Sequence, residues 1–273
     1  MIRRNRITGE PVILAPERAQ RPDIVRGAAE ECPFCPGNEA MTPPEIWRDA
    51  DPWNVRLFPN KYPATERHEV IVESSRHDDT FDLIPPKQAA VVVDMYMKRY
   101  LALSNDAAYV SVFKNHDLMA GATIPHLHSQ ILATPFVPPR VQRESDAFAR
   151  TTACPLCAVG DEPLIEESAH YRWIAPQAST MAHEQWIVPK RHAAEMSEAG
   201  DLAELLQAAT RATHDVASSY NWLFMNFPRQ PAAHWYLQIL PRLAVQAGFE
   251  LGSGTGINVV DPEDAARHLR KSS

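Results

Sequence analysis

Basic charge is in short supply in this 273-residue chain. Its 27 Lys and Arg residues against 34 Asp and Glu leave a formal net charge of −7. Nucleic-acid binding over a broad face needs a basic surface, so this balance argues against it. A small phosphorylated ligand is not excluded, because a few local arginines suffice to hold one. Long apolar runs are also missing: no stretch of about 18 apolar residues occurs, which argues against a membrane-spanning helix. The N-terminal Met-Ile-Arg-Arg-Asn-Arg (1–6) has no apolar segment behind its basic residues, so a secretory signal is not expected. Glycine is scarce at 10 residues while proline reaches 24, which implies loops of fixed shape between short elements. Cysteine is limited to four residues, in two CxxC pairs. Without a secretion signal, such pairs favour metal-bound thiols over structural disulfides and place the chain in the cytoplasm.

What is present is a repeat. The first copy runs Cys32-Pro-Phe-Cys35, His68 to His77, and His126-Leu-His128-Ser-Gln130. The second runs Cys154-Pro-Leu-Cys157, His183 to His192, and His234-Trp-Tyr236-Leu-Gln238. The copies differ where His128 is replaced by Tyr236. Strand patterns are expected at Pro11 to Ala15, 53–60, 68–73, 108–113 and 126–133, and again at 170–175, 183–188, 222–227 and 234–240. Apolar residues at helical spacing predict helices at Lys87 to Leu103, Gly200 to Ser218 and 262–271. Ala90, Val93, Met97 and Leu101 should share a buried face of the first helix, and Leu202, Leu205, Ala209 and Val216 of the second. Residues 134–153 are rich in Pro, Arg and Ser without periodicity, which puts a boundary there between halves 1–140 and 141–273. The order strand, strand, helix, strand, strand, twice over, implies an α+β chain built by duplication on antiparallel sheet.

Two thiolates and two imidazoles complete a closed tetrahedral metal set. The matching spacings assign Cys32, Cys35, His77 and His126 to one site, and Cys154, Cys157, His192 and His234 to the other. Two structural metal ions follow, zinc in both, with iron the alternative at the second. A redox pair, or merely buried thiols, is the competing reading of each CxxC. His68 and His183 read as polar residues at strand edges.

In a strand, residues i and i+2 face one side, so His126, His128 and Gln130 form a row. A neutral imidazole can attack phosphorus and carry it as a phosphoramidate. Its other ring nitrogen must then give its proton to an acceptor, commonly a backbone carbonyl. Ser129 and Gln130 would donate hydrogen bonds to phosphate oxygens. The competing reading gives both His126 and His128 to the metal. The second copy speaks against it, since Tyr236 stands where that second ligand would be.

Cys-Pro-Phe-Cys-Pro-Gly-Asn-Glu (32–39), Pro-His-Leu-His-Ser-Gln (125–130), Pro-Glu-Arg-Ala-Gln-Arg-Pro (16–22) and Ala-Gly-Phe-Glu-Leu-Gly-Ser-Gly (247–254) resemble the galactose-1-phosphate uridylyltransferase family, a duplicated branch of the histidine-triad superfamily. The resemblance spans nearly the whole chain in order. It implies a duplicated histidine-triad-like fold, an antiparallel sheet with helices packed on it, and ping-pong nucleotidyl transfer between sugar 1-phosphates through His128. It also implies phosphate contacts from Arg18, Arg21, Asn115 and Thr123, and base or ribose contacts from Asn60. The sugar would be met by Gln238, Phe249, Glu250, Gly252 and Ser253. The expected partners are a nucleotide sugar, a sugar 1-phosphate and a second copy of the chain. Leu127 and Ser129 depart from the Pro and Gly of many members. The His-x-His-Ser-Gln form and the two-Cys, two-His second site are similar to relatives of the ADP-glucose phosphorylase type, which transfer AMP to phosphate. A nucleotide hydrolase and a non-catalytic zinc-stabilised binding module stay open as alternatives.

Overall fold

The computed structural model describes residues 1–21, 32–158 and 160–271. Pro22, the last residue of the arginine motif, lies outside the described residues. A short hairpin, β1 (Ile2–Arg4) and β2 (Pro11–Ile13), stands apart from a ten-stranded sheet. The first half supplies β3 (Trp47–Arg48), β4 (Arg56–Pro59), β5 (His68–Val72), β6 (Tyr109–His116) and β7 (His128–Thr134) to that sheet. The second half supplies β8 (Leu164–Glu167), β9 (Tyr171–Ile174), β10 (Gln185–Pro189), β11 (Tyr220–Met225) and β12 (Tyr236–Pro241). The order is β3-β4-β5-β7-β6-β11-β12-β10-β9-β8, with every pairing antiparallel. The two halves therefore mirror one another in order and meet at β6 and β11. The duplication read from the sequence becomes one continuous sheet with one shared core.

Helix α1 (Pro86–Ser104) begins at a proline, whose fixed φ and missing N–H suit a first helical turn. With α3 (Leu202–His214) and α5 (Pro262–Leu269) it covers one face of the sheet. Leu202, Leu205, Leu206 and Ala209 of α3 are buried there, each leucine contributing roughly 2 kcal/mol of burial. On α1 the buried residues are Ala89, Val92, Val93, Met95, Tyr96, Met97, Tyr100 and Leu103. Val93 and Met97 fall as expected; Ala90 and Leu101 point outward, because the bulky Tyr96 and Tyr100 rotate the buried stripe away from them. Val216 lies beyond the end of α3.

Residues 134–153 are not a structureless linker. They hold α2 (Pro139–Ala149), which lies on the opposite face of the sheet and buries only Val141 and Phe148, two positions too sparse for a sequence signal. A last short helix, α4 (Gly248–Ser253), ends at Gly254, whose φ of 71° is a left-handed cap that suits glycine. No helix among the described residues is long and apolar enough to cross a membrane.

His68 is not at a solvent-facing edge; β5 lies between β4 and β7 and the residue is buried. Nor does the strand register pair it with His183. Val70 faces Gln130 across β5 and β7, and Trp186 faces Gln238 across β10 and β12. Two residues earlier in each segment are His68, which opens β5, and Glu184, which immediately precedes β10, so the residue equivalent to His68 is Glu184.

Candidate active site

Strand alternation sends His128 and Gln130 to the face away from α1. There they open on a cavity of about 150 Å³ whose walls include Phe34, Phe58, Tyr62, Val70 and Ile124, with Arg21, Asn60 and Thr123 among its polar lining. The His128 Nδ1 lies 2.7 Å from the carbonyl oxygen of His126. A carbonyl only accepts, so Nδ1 carries the proton and Nε2 keeps its lone pair. Burial, followed by the charge of Lys114, lowers His128 to about 4, so the ring is neutral at ordinary pH. Phe34 crosses it edge-on at 5.2 Å and limits its rotation.

Ser129 does not join this face. Alternation turns its hydroxyl toward α1, where it lies 2.8 Å from the Tyr96 hydroxyl. Tyr96 donates to Glu73, and Glu73 accepts from Lys114 Nζ at 2.5 Å. Lys114 Nζ also donates to the His128 carbonyl at 2.9 Å. Lys114 and Glu73 are 1% and 0% exposed. The pair thus grips the backbone of the imidazole from beneath the sheet. Its visible trace in the sequence is a charged residue inside the otherwise apolar alternation of 109–114.

Arg18 and Arg21 sit at the end of a 3-10 turn, Pro16–Gln20. Arg18 donates to the Tyr62 carbonyl at 2.6 Å. Burial, and then the nearby Arg21, push the Arg18 guanidinium below its ordinary range, as two neighbouring cations would. Arg21 lines the cavity, and its buried Nε has no hydrogen-bond partner among the described residues. Such a pair suits phosphate oxygens. Asn60 closes its own turn by accepting from the Tyr62 N–H at 2.8 Å. Asn115 is not part of the cavity lining. The β6–β7 register carries it abreast of His128, but its Oδ1 is held by Asn221 Nδ2 at 2.9 Å.

The eight metal-ligand candidates gather as two sets of four, with donor atoms within 4.8 Å of one another. His128 belongs to neither set. In the first, Sγ to Nδ1 separations run from 3.3 to 3.7 Å. A tetrahedral zinc with its usual Zn–S and Zn–N lengths demands about 3.6 Å. The second repeats this at 3.3 to 3.5 Å. His126 and His192 turn their Nε2 to backbone carbonyls of Ser74 and Pro231 at 2.7 and 2.8 Å, which frees Nδ1 to bind an ion. Burial and the adjacent thiol raise Cys35 to about 12 and Cys157 to about 11, and a bound cation would favour the thiolate form of both. Soft sulfur with imidazole, at these distances, fits a metal such as zinc.

The sugar residues expected from the second half do not reach His128 within one chain. Gln238, Glu250 and Gly254 line a separate cavity of about 900 Å³ under α2. Phe249 projects outward at 61% exposure, and Ser253 caps its own helix by donating to the Phe249 carbonyl. Gly252 is exposed on the same short helix, with open space around the position a Cβ would take. The reason is topological: β7 and β12 are separated by β6 and β11.

Residues 63–138 match the model of the galactose-1-phosphate uridyl transferase N-terminal domain. The whole chain is 33% identical to ADP-glucose phosphorylase of Arabidopsis thaliana, covering 93% of it. It is 27% identical to galactose-1-phosphate uridylyltransferase of Thermotoga maritima over 99% of this chain and 98% of that one. The crystal structure of the Arabidopsis enzyme with bound ADP-glucose superposes with a TM-score of 0.82, covering 100% of this chain and 99% of that chain. A fold shared over the whole chain and 33% identity along its full length leave one family for the paired clusters and the single unpaired imidazole: the chain belongs to the galactose-1-phosphate uridylyltransferase family.

Proposed function

We propose that this chain is a nucleotidylyltransferase in which His128 carries a nucleoside monophosphate between two phosphorylated partners. Residues 1–140 form the half that bears the nucleophile, and 141–273 a degenerate half. The observation that carries the reading is the His128 ring itself, neutral, with its Nδ1 proton on the His126 carbonyl and Nε2 unprotonated above a cavity lined by Arg21 and Gln130. Nε2 attacks the α-phosphorus of a nucleoside-diphosphate sugar, and the α–β phosphoanhydride bond breaks. The electron pair leaves with the sugar 1-phosphate. The nucleotidyl-imidazole is cationic, and the His126 carbonyl holds its Nδ1 proton. Arg18, Arg21 and the Gln130 amide neutralise charge on the phosphoryl oxygens. A second phosphate then attacks the same phosphorus and His128 leaves as the neutral ring. The metals, when bound, hold the loops of the fold and offer no open position to substrate.

With UDP-glucose as donor and a hexose 1-phosphate such as galactose 1-phosphate as acceptor, this is uridylyl transfer in galactose metabolism. A second reading, adenylyl transfer from an ADP-sugar to inorganic phosphate, is favoured by the 33% full-length identity to ADP-glucose phosphorylase against 27% to the uridylyltransferase. Incubating the metal-loaded protein with UDP-glucose or ADP-glucose labelled in the α-phosphate separates the two. Acid-labile label on His128 from the uridine donor alone supports the first, and from the adenine donor alone the second. No label from either, with hydrolysis intact, refutes nucleotidyl transfer.

A further inference from the structure

A glutamine can serve a phosphate only if its NH2 end faces the ligand, and an amide can be turned either way. The two halves of this sheet solve the problem in opposite senses. In the first half the backbone N–H of Ala64 donates to His68 Nδ1 at 3.1 Å. Nδ1 therefore accepts, and the ring proton sits on Nε2. That Nε2 lies 2.9 Å from Gln130 Oε1, so the imidazole donates and the amide oxygen is the end it holds. Asn60 Nδ2, at 3.4 Å from the same ring nitrogen, is itself a donor, because Asn60 Oδ1 is taken by the Tyr62 N–H; it makes no competing bond. With Oε1 engaged, the Gln130 NH2 is left on the cavity side, beside His128 and Arg21. Burial, followed by the charge of Arg18, lowers His68 to about 4, which keeps the ring a single-proton donor.

In the second half the register puts Glu184 at the position of His68. Its carboxylate accepts from Gln238 Nε2 at 2.5 Å, and Arg140 donates to Gln238 Oε1 at 2.8 Å. Both ends of that amide are consumed, and its donor is turned into the sheet. The same glutamine on the same scaffold is thus presented as a donor in one half and silenced in the other, and the neighbour two residues upstream of the paired strand position decides which.

We infer that His68 is the positioning residue that turns the Gln130 amide so that its NH2 faces the reacting phosphoryl group. The inference rests on the nucleotidyl-transfer reading for its kinetic consequence and on geometry alone for the orientation. The two are tested separately in the full-length, metal-loaded protein. Long-range 15N spectra of the ring nitrogens, with the His68 signals assigned by their loss in His68→Gln, should give the Nε2–H tautomer. An Nδ1–H tautomer overturns the inference whatever the activity. For the kinetics, single-turnover labelling of His128 is compared across substitutions. His68→Glu copies the second half and should capture the Gln130 NH2, lowering the labelling rate on the order of 100-fold, as loss of one oxyanion donor does. His68→Gln keeps a donor near the Nε2 position and should stay within about 10-fold of the wild type. In a Gln130→Ala background, His68→Glu should change the rate by less than about 3-fold, since its target is gone. Equal losses in both backgrounds, or His68→Gln as damaging as His68→Glu, overturn the inference. A wild-type protein with the Nε2–H tautomer that takes no label from any nucleotide sugar refutes the transfer reading and leaves the amide orientation standing.

Discussion

Lys114→Met should destabilise the protein by several kilocalories, although it lies on the far side of the sheet from the cavity. Lys114 Nζ and Glu73 Oε2 are 2.5 Å apart and essentially without solvent. Burial pulls the lysine below its ordinary range and Glu73 opposes that pull, so the two charges depend on each other. Methionine roughly matches the lysine stem in volume, which keeps the packing cost small. What remains is a buried carboxylate held only by the Tyr96 hydroxyl. Breaking one side of a buried pair costs about 3–5 kcal/mol, and the His128 carbonyl loses a donor worth about 1 kcal/mol more. For a chain of this size that lowers the thermal midpoint by about 10 °C. Urea unfolding and a thermal scan measure both. Adding Glu73→Gln to Lys114→Met removes the stranded charge while keeping an acceptor for Tyr96, and should recover about 2 kcal/mol. If Lys114→Met costs less than about 1 kcal/mol, or the second substitution lowers stability further, the pair is not the strut beneath His128.

Ser129→Ala should lower turnover by less than about 10-fold and stability by about 1 kcal/mol, because the hydroxyl meets Tyr96 and not the phosphate; a loss of 100-fold in single-turnover labelling would return Ser129 to the site. Metal release should be ordered, since Cys157 of the second cluster is exposed while Cys32 and Cys35 of the first are buried: a chelator assay under native conditions should empty one site per chain well before the other, and Cys157→Ser should abolish the fast phase. His116 stacks on Tyr220 at 4.7 Å, and burial, then Lys114 and His214, lower it to about 4, against Asp117 and Asp82. Its folded-state affinity for a proton is thus below its unfolded one, so its stabilising contribution is present above about pH 6.5 and is lost as pH falls toward 4. His116→Phe should flatten the slope of unfolding free energy in that window by up to about 1.4 kcal/mol per pH unit, and an unchanged slope would refute the assignment.

The two metal clusters were legible in the sequence because their chemistry is carried by rare residues at repeated spacings, and both sets of four converge in space. The row His128 and Gln130 was legible from strand alternation. The same alternation puts Ser129 on the other face, so reading it as a phosphate donor conflicted with the period that located its neighbours. The helix α2 was hidden by Pro138 and Pro139 and by a polar composition with two buried positions. The apolar walls Phe34 and Phe58 carry no chemical signature, although Phe34 stands between the two cysteines of the first pair. Pairing His68 with His183 was natural because each begins a ten-residue segment ending in a histidine of a Cys2His2 cluster. The strands are offset by one residue relative to those segments, and only the ladder reveals it.

That offset bears on how the two halves of a duplicated scaffold come to differ. The exchange of His128 for Tyr236 is the change visible in sequence, yet it is one of several that act together. Tyr236 donates to Glu144 at 2.9 Å, and Arg140 bridges Glu144 and Gln238. Both Glu144 and Arg140 come from α2, which crosses the junction between the halves, and no corresponding helix stands between the β7 face and the cavity among the described residues. In the second half, ionic and amide groups pair with one another across the strand–helix interface, so they stabilise the docking of α2 and engage both ends of the Gln238 amide. In the first half the comparable groups are held from behind, the Gln130 amide by His68 and the His128 ring by the His126 carbonyl, and each is left with one hydrogen-bonding function unspent on the cavity side. A surface built to bind phosphate is one whose donors are fixed but not satisfied. By that criterion the two halves are opposites on the same backbone, and the difference lies in where the partners of each amide and ring are placed more than in the single exchange of histidine for tyrosine.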